Sequence, residues 1–270
     1  MKKKRLLSVL LAGAMALSLT ACGGQQGVTN NASEAPSSEE AAQTQAAASE
    51  TEQAEESVKP ETPTGQLVLG FITDLEGEFY DPSFNNTATN YKAYDLIHGY
   101  STVTYTKEGE FEYDPTVVAS HEEVENEDGT KTYTVTINDG LTWNDGTPIT
   151  AKDYVFQMLL ESSPEMNQVD GYPCLTGNYY VGYEEFLAGE TEAFAGVHLI
   201  DDMTFSLTVK AEELPFHYDI TYASAMPRPL SVIAPGCDVV DTEEGATITG
   251  DFTAELLQET INNPDTGYRY

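Results

Sequence analysis

TYTVTINDGLTWNDGTPITAKDYVFQMLL, residues 132–160, reads as two strand-like runs joined by turns and delivered into a helix. From Thr132 to Ile137 threonine alternates with Tyr133, Val135 and Ile137, so the apolar side chains share one face of a half-buried strand. Asn138-Asp139-Gly140 and Asn144-Asp145-Gly146 are turn tripeptides, because Asn and Asp tolerate left-handed backbone and Gly adopts it freely. Between them lies Leu141-Thr142-Trp143, which holds the single tryptophan of the chain and is expected to be a packed anchor. Pro148 enforces an extended entry, and Thr150 opens T-x-x-D with Asp153, whose carboxylate can reach back to the cap amide. A helix is predicted from Ala151, with Val155, Phe156, Leu159 and Leu160 as a core-facing stripe and Pro164 ending it.

Working outward, Leu67–Ile72 is a continuous apolar run of strand length, expected to be a buried strand. A helix is predicted over Thr89–His98, closed by Gly99. Thr102–Thr106 and Glu110–Tyr113 flank Lys107-Glu108-Gly109 as a hairpin. Five carboxylates fall within residues 122–128, but the alternation of acids, Gly and final Glu that a calcium loop needs is missing, and a solvated loop is expected. Tyr172, Tyr179, Tyr180 and Tyr183 cluster in a glycine-containing stretch. Val197–Ile200 and Thr204–Val209 read as strand, turn and strand, and Phe252–Ile261 as a last amphipathic helix.

The amino terminus, Met1-Lys2-Lys3-Lys4-Arg5 followed by the apolar Leu6–Leu19, has the charged and apolar regions of a signal peptide spanning 1–21. Leu19-Thr20-Ala21-Cys22 resembles the lipobox cut before a lipidated cysteine, which implies lipidation of Cys22 and a membrane anchor. Residues 22–66 carry that cysteine and an Ala/Ser/Thr/Gln/Glu stretch with eight glutamates against one lysine, expected to be a disordered acidic linker.

The chain has a formal net charge of −33, and four of its twelve Lys and Arg fall in the leader, so the rest is more acidic still. That sign makes nucleic acid an improbable partner and speaks chiefly to solubility. Cys174 and Cys237 either pair after export or remain thiols; two cysteines provide neither a disulfide framework nor a four-ligand zinc site. Nucleophile elbow, P-loop and metal-ligand cluster are all missing, so no catalytic residue, metal or cofactor is assigned.

The run Tyr133–Met158 closely resembles the signature of family 5 extracellular solute-binding proteins, the oligopeptide- and dipeptide-binding components of ABC importers. The matching residues include Tyr133, Gly140, Trp143, Asp145, Gly146, Pro148, Thr150, Asp153, Val155 and Phe156. Asp81-Pro82, Asp95-Leu96-Ile97-His98-Gly99 and Asp201-Asp202 with the strand after it resemble further family elements, whereas His121 stands near the place where tryptophan is usual.

The resemblance implies an α/β fold, periplasmic-binding-protein-like type II and two-lobed in the family, here a truncated mixed-sheet first half. It divides residues 67–270 into a first lobe (67–101 and 196–270) and an inserted subdomain (102–195). It also implies a non-enzymatic lipoprotein on the outer face of the membrane, extracellular or periplasmic, with a di- to oligopeptide ligand and ABC permease subunits as partners. Ligand contacts are expected from Phe84, Asn85, Asn86 and Thr87, which could instead begin the helix. Tyr172 is expected in the cleft or, alternatively, in the core. The rival reading is a membrane-anchored hydrolase acting on glycans through a carboxylate pair, which leaves no spacing signature; a surface adhesin is the third.

Overall fold

The strand read from the threonine alternation becomes the second of a four-stranded antiparallel sheet. The structure, a computed structural model, describes residues 68–73, 87–97, 99–169 and 176–262, all within the unit Gln66–Tyr270. In chain order the described elements are α1 (Ala88–Ile97), β1 (Val103–Tyr105), β2 (Phe111–Tyr113), β3 (Val118–Glu125), β4 (Lys131–Ile137), α2 (Ala151–Leu160), α3 (Pro164–Asn167) and α4 (Tyr183–Leu187). They continue with β5 (Val197–Leu199), β6 (Thr204–Val209), α5 (Leu230–Ile233), β7 (Asp238–Thr242), β8 (Gly245–Thr249) and α6 (Ala254–Asn262). Short 3₁₀ turns occupy Ala211–Glu213 and Asp219–Ala223.

The sheet order is β3-β4-β6-β5, and β1-β2 and β7-β8 are separate two-stranded ribbons. Tyr133, Val135 and Ile137 are buried while the threonines between them are half-buried, and Thr132 and Thr136 meet Thr208 and Thr204 across the β4–β6 ladder at 3.0 and 3.1 Å. Tyr133 faces Leu207 and Val135 faces Phe205 in that register. The sheet therefore spans the segments 102–195 and 196–270 that the resemblance assigns to the inserted subdomain and the first lobe.

Both Asn-Asp-Gly turns form with Gly140 and Gly146 at φ 88° and 86°, values an L side chain resists. They fold Leu141 and Trp143 inward, both buried, and only the isolated bridge between Thr142 and Pro148 forms where a second strand was expected. The Asp153 carboxylate accepts from the Thr150 N–H at 2.9 Å, as the T-x-x-D spacing requires. Helix α2 is not striped but buried almost all round, Lys152 excepted. Tyr154 stacks on Phe205 of the sheet, centroids 5.5 Å apart, while the helix also touches α5, β7 and β8. Pro164 lies at the start of α3 rather than merely stopping α2, its missing N–H costing nothing there.

Two further expectations need correction, and one element was missed. The run Val68–Ile72 is exposed and not a strand, with Ile72 fully exposed, because no described strand lies along its edges to satisfy the backbone. The acidic stretch is not a loop up to Glu125: it is edge strand β3, paired in register with β4, its glutamates in solvent. The β7–β8 hairpin was not foreseen at all. Its turn brings Gly245, at φ 130°, so close to Phe194 that a Cβ would lie 2.3 Å from the Phe194 carbonyl oxygen.

Two stability predictions arise here. Trp143→Ala should cost about 3–5 kcal/mol, the range for emptying a buried aromatic site; denaturant melts showing a loss under about 1 kcal/mol would contradict the packed ring. Burial pushes the Asp153 carboxyl up to about 6, against the hydrogen bonds from the Thr150 and Leu230 backbone. Its folded value stands above the unfolded value of about 4, so this group's contribution is complete below pH ~4 and is lost as pH rises through about 6. Asp153→Asn should remove that loss: from pH 4 to 7 the wild type should fall relative to the variant by about 2–3 kcal/mol. Parallel pH profiles of the two proteins would sink this assignment.

Candidate functional site

The residues expected to meet a ligand begin at the entry to α1. Thr87 sits just before the helix and its Oγ1 accepts from the Asn90 N–H at 3.2 Å, the geometry of a side-chain cap. One turn in, Thr89 and Asn90 are buried, as is Tyr94, and the Thr89 hydroxyl hydrogen-bonds that of Thr73, tying the chain after Ile72 to the helix. Phe84, Asn85, Asn86, Tyr172, Cys174 and the lipidation candidate Cys22 lie outside the described residues. Cys237 is a half-buried free thiol, its pKa raised by burial and by Asp251.

The connection out of α1 is fixed by a network reaching across the fold. Tyr100 takes φ 57°, a left-handed value unusual for a tyrosine, and its carbonyl accepts from the Tyr154 hydroxyl at 2.8 Å. The buried Thr102 hydroxyl donates to the Ala223 carbonyl at 2.6 Å, and its N–H to the Ala225 carbonyl at 3.0 Å. Gln157 Oε1 accepts from the Met226 N–H at 2.7 Å. Arg228 pairs with Glu161 at 3.1 Å, both side chains nearly buried. Helix α2 thus holds both ends of the covering layer, and through Tyr100 it sets where α1 leaves.

A second polar constellation, missed in the sequence, stands where β1–β2 meets the β3–β4 edge. Lys131 Nζ lies 2.6 Å from Glu123 and 2.6 Å from Asp219, and 4.8 Å from the Tyr133 ring centroid. Tyr113 donates its hydroxyl to Glu123 at 2.9 Å and stacks on His121, centroids 3.8 Å apart. Burial would lower the Lys131 pKa, but the hydrogen bonds to Asp219 and Glu123 raise it. Burial likewise works against Asp219, yet Lys131 holds its carboxyl below the usual range. The Tyr113 phenol is pushed well up, by burial first and then by Glu123. The only sequence cue was a rare cation in an acidic chain; its Asp219 partner is 88 positions away. Among the described residues no group of three or more His, Cys, Asp or Glu is placed to hold a metal ion.

The model of the bacterial extracellular solute-binding proteins, family 5 (middle), matches residues 113–257, more than half of the chain. The chain belongs to this family. The matched range runs from the last residue of β2 into the first turn of α6, and includes the whole stretch that resembled the family signature. The described elements form a mixed α/β arrangement with several small sheets.

The periplasmic oligopeptide-binding protein OppA of Salmonella typhimurium is 31% identical over 106 residues, 38% of this chain and 19% of that protein. The match to OppA of Escherichia coli K12 has the same identity and extent. Each match thus spans about a fifth of the relative's length. Among solved structures, Listeria monocytogenes OppA bound to peptide superposes at TM-score 0.46 with 16% identity, over 63% of this chain and 36% of that one. An oligopeptide-binding protein from Borrelia burgdorferi gives 0.44 and 16%, over 70% and 44%.

Lys131→Met should leave Glu123 and Asp219 without their cation and cost about 2 kcal/mol at pH 7, between the values for exposed and buried pairs. Because the Asp219 pKa is depressed, its contribution is present above pH ~4 and lost as pH falls through its folded value. The gap between wild type and variant should therefore narrow in melts at pH 3; a gap of equal size at both pH values would contradict the ion-pair account.

Proposed function

We propose that this protein captures di- to oligopeptides outside the cell and delivers them to the permease of an ABC importer, held at the outer face of the membrane by lipid on Cys22. The observation that carries the reading is the family match over residues 113–257; relatives named as oligopeptide-binding support peptide as the ligand class. The helix start, capped by Thr87 on the Asn90 N–H and tied to Thr73 through Thr89, offers a footing for the segment Phe84, Asn85, Asn86, Thr87. Extended peptides are recognised largely by main-chain hydrogen bonds, which exposed backbone and amide side chains such as Asn85 and Asn86 suit. Tyr172 completes the proposed contacts. In this reading residues 1–21 are removed on export and 22–66 tether the folded part to the membrane.

Two experiments test it. Full-length protein from its native membrane, unfolded after washing, should release peptides identifiable by mass spectrometry, and Asn85→Ala with Asn86→Ala should weaken their rebinding about tenfold, about 1.4 kcal/mol. Release of a sugar or metal ion and no peptide would overturn the ligand assignment. Intact mass should show a diacylglycerol adduct that Cys22→Ala lacks, and that variant should appear in the soluble fraction; a membrane-bound, lipid-bearing variant would refute the anchor.

A further inference from the structure

The tripeptide Asn-Asp-Gly occurs twice, at 138–140 and 144–146, and Asp128-Gly129 adds a third Asp-Gly pair to the described residues. A fourth, Asp170-Gly171, lies outside them. Asp-Gly is the dipeptide in which backbone most readily attacks side chain, because glycine has no Cβ to shield its amide nitrogen or to limit the twist that brings that nitrogen to the carboxyl carbon. In an unfolded chain the two Asn-Asp-Gly tripeptides are nearly equivalent. The fold makes them unlike.

At Asp145 both reacting groups are occupied. The carboxylate accepts from the Thr147 N–H at 2.9 Å and from its hydroxyl at 2.6 Å, and the Gly146 N–H donates to the Trp143 carbonyl at 2.9 Å. Asp128 repeats the arrangement with the Thr130 N–H and hydroxyl at 3.0 and 2.7 Å, and the Gly129 N–H donates to the Asn126 carbonyl at 3.0 Å. The threonine hydroxyls, and then the N–H groups, hold both carboxyls below the usual carboxylate range, whereas ring closure consumes the neutral acid. Two residues beyond Asp139 the threonine is replaced by Leu141, which has no hydroxyl and is buried. Among the described residues no donor meets the Asp139 carboxylate and no acceptor takes the Gly140 N–H, and both residues are exposed.

We propose that Asp139-Gly140 is this protein's site of spontaneous isoaspartate formation, the one described Asp-Gly pair whose carboxyl and amide are both left unheld. The Gly140 nitrogen bonds to Asp139 Cγ, and its proton leaves with the carboxyl hydroxyl as water. One water then opens the succinimide: breaking the Cγ–N bond restores aspartate, and breaking the bond from nitrogen to the main-chain carbonyl carbon gives isoaspartate, with the backbone running through Cβ and Cγ. Composition and mass are unchanged, but the chain gains one carbon. Its neighbours cannot slide to absorb it, because the Asn138 N–H is bonded to the Val117 carbonyl at 2.7 Å and the Leu141 carbonyl accepts from the Ile149 N–H at 2.9 Å.

The intact protein, aged at 37 °C and neutral pH, is digested and its peptides fragmented by electron transfer, which cleaves isoaspartate at its extra backbone bond. Isoaspartate at 139 should exceed that at 145 and at 128 by at least about tenfold, ~1.4 kcal/mol in barrier. In guanidinium chloride, where the hydrogen bonds are gone, 139 and 145 should differ by less than about twofold. Thr147→Val removes one bond to the Asp145 carboxylate and should speed reaction at 145 at least about twofold while leaving 139 unchanged. Asp139→Glu, whose longer side chain must close a larger ring, should abolish the modified peptide. Equal isoaspartate at 139 and 145 in the folded protein, an excess at 128 or 145, the same preference surviving in denaturant, or no isoaspartate at 139 would overturn the assignment.

Discussion

Burial of one face of β4 is the constraint from which the arrangement follows. Tyr133, Val135 and Ile137 can leave water only if something apolar covers that face and if both strand edges are hydrogen-bonded. The edges are met by β3 and β6, and the cover is α2, whose Tyr154 lies flat on Phe205 next to Val135 in register. Once α2 is fixed on the sheet, its far side must also be covered, because its apolar residues Val155, Phe156, Met158, Leu159 and Leu160 run almost all round it. That demand recruits α5 and the β7–β8 ribbon from the end of the described chain and brings Arg228 against Glu161.

The polar contacts between these layers do more to specify than to stabilise. A nearly buried Arg228–Glu161 pair has a desolvation cost comparable to its attraction, yet with the Gln157–Met226 bond it permits one register of the covering layer on α2. The Thr102 contacts with Ala223 and Ala225 act in the same way. In a chain this acidic, Lys131 between β3, β4 and the turn at Asp219 sits where a misplaced layer would strand two carboxylates.

Local periodicity and turn chemistry were readable because they depend on neighbours in the sequence. The alternation over Thr132–Ile137, the two Asn-Asp-Gly turns and the Thr150–Asp153 cap all form as their residue types dictate. What could not be read depends on distant partners. Val68–Ile72 has strand composition but no described edge to join, and Glu122–Glu125 has loop composition but is given a ladder by β4. The Asp238–Thr249 hairpin turns on Gly245 passing against Phe194, a closeness no local pattern announces. For the site, the helix start at Thr87 was legible from its cap residues, while the cluster around Lys131 joins positions 123, 131 and 219, which only the folded chain brings together.

The buried indole between the two turns has a further use. Trp143 is the only tryptophan in a chain with sixteen tyrosines, so excitation at the red edge of the absorption band addresses a single chromophore. It is buried between the two turns that feed α2. Its emission colour therefore follows solvent entry at the turn–helix junction, and the tyrosines serve as energy donors whose transfer to it reports how tightly the surrounding layers remain assembled.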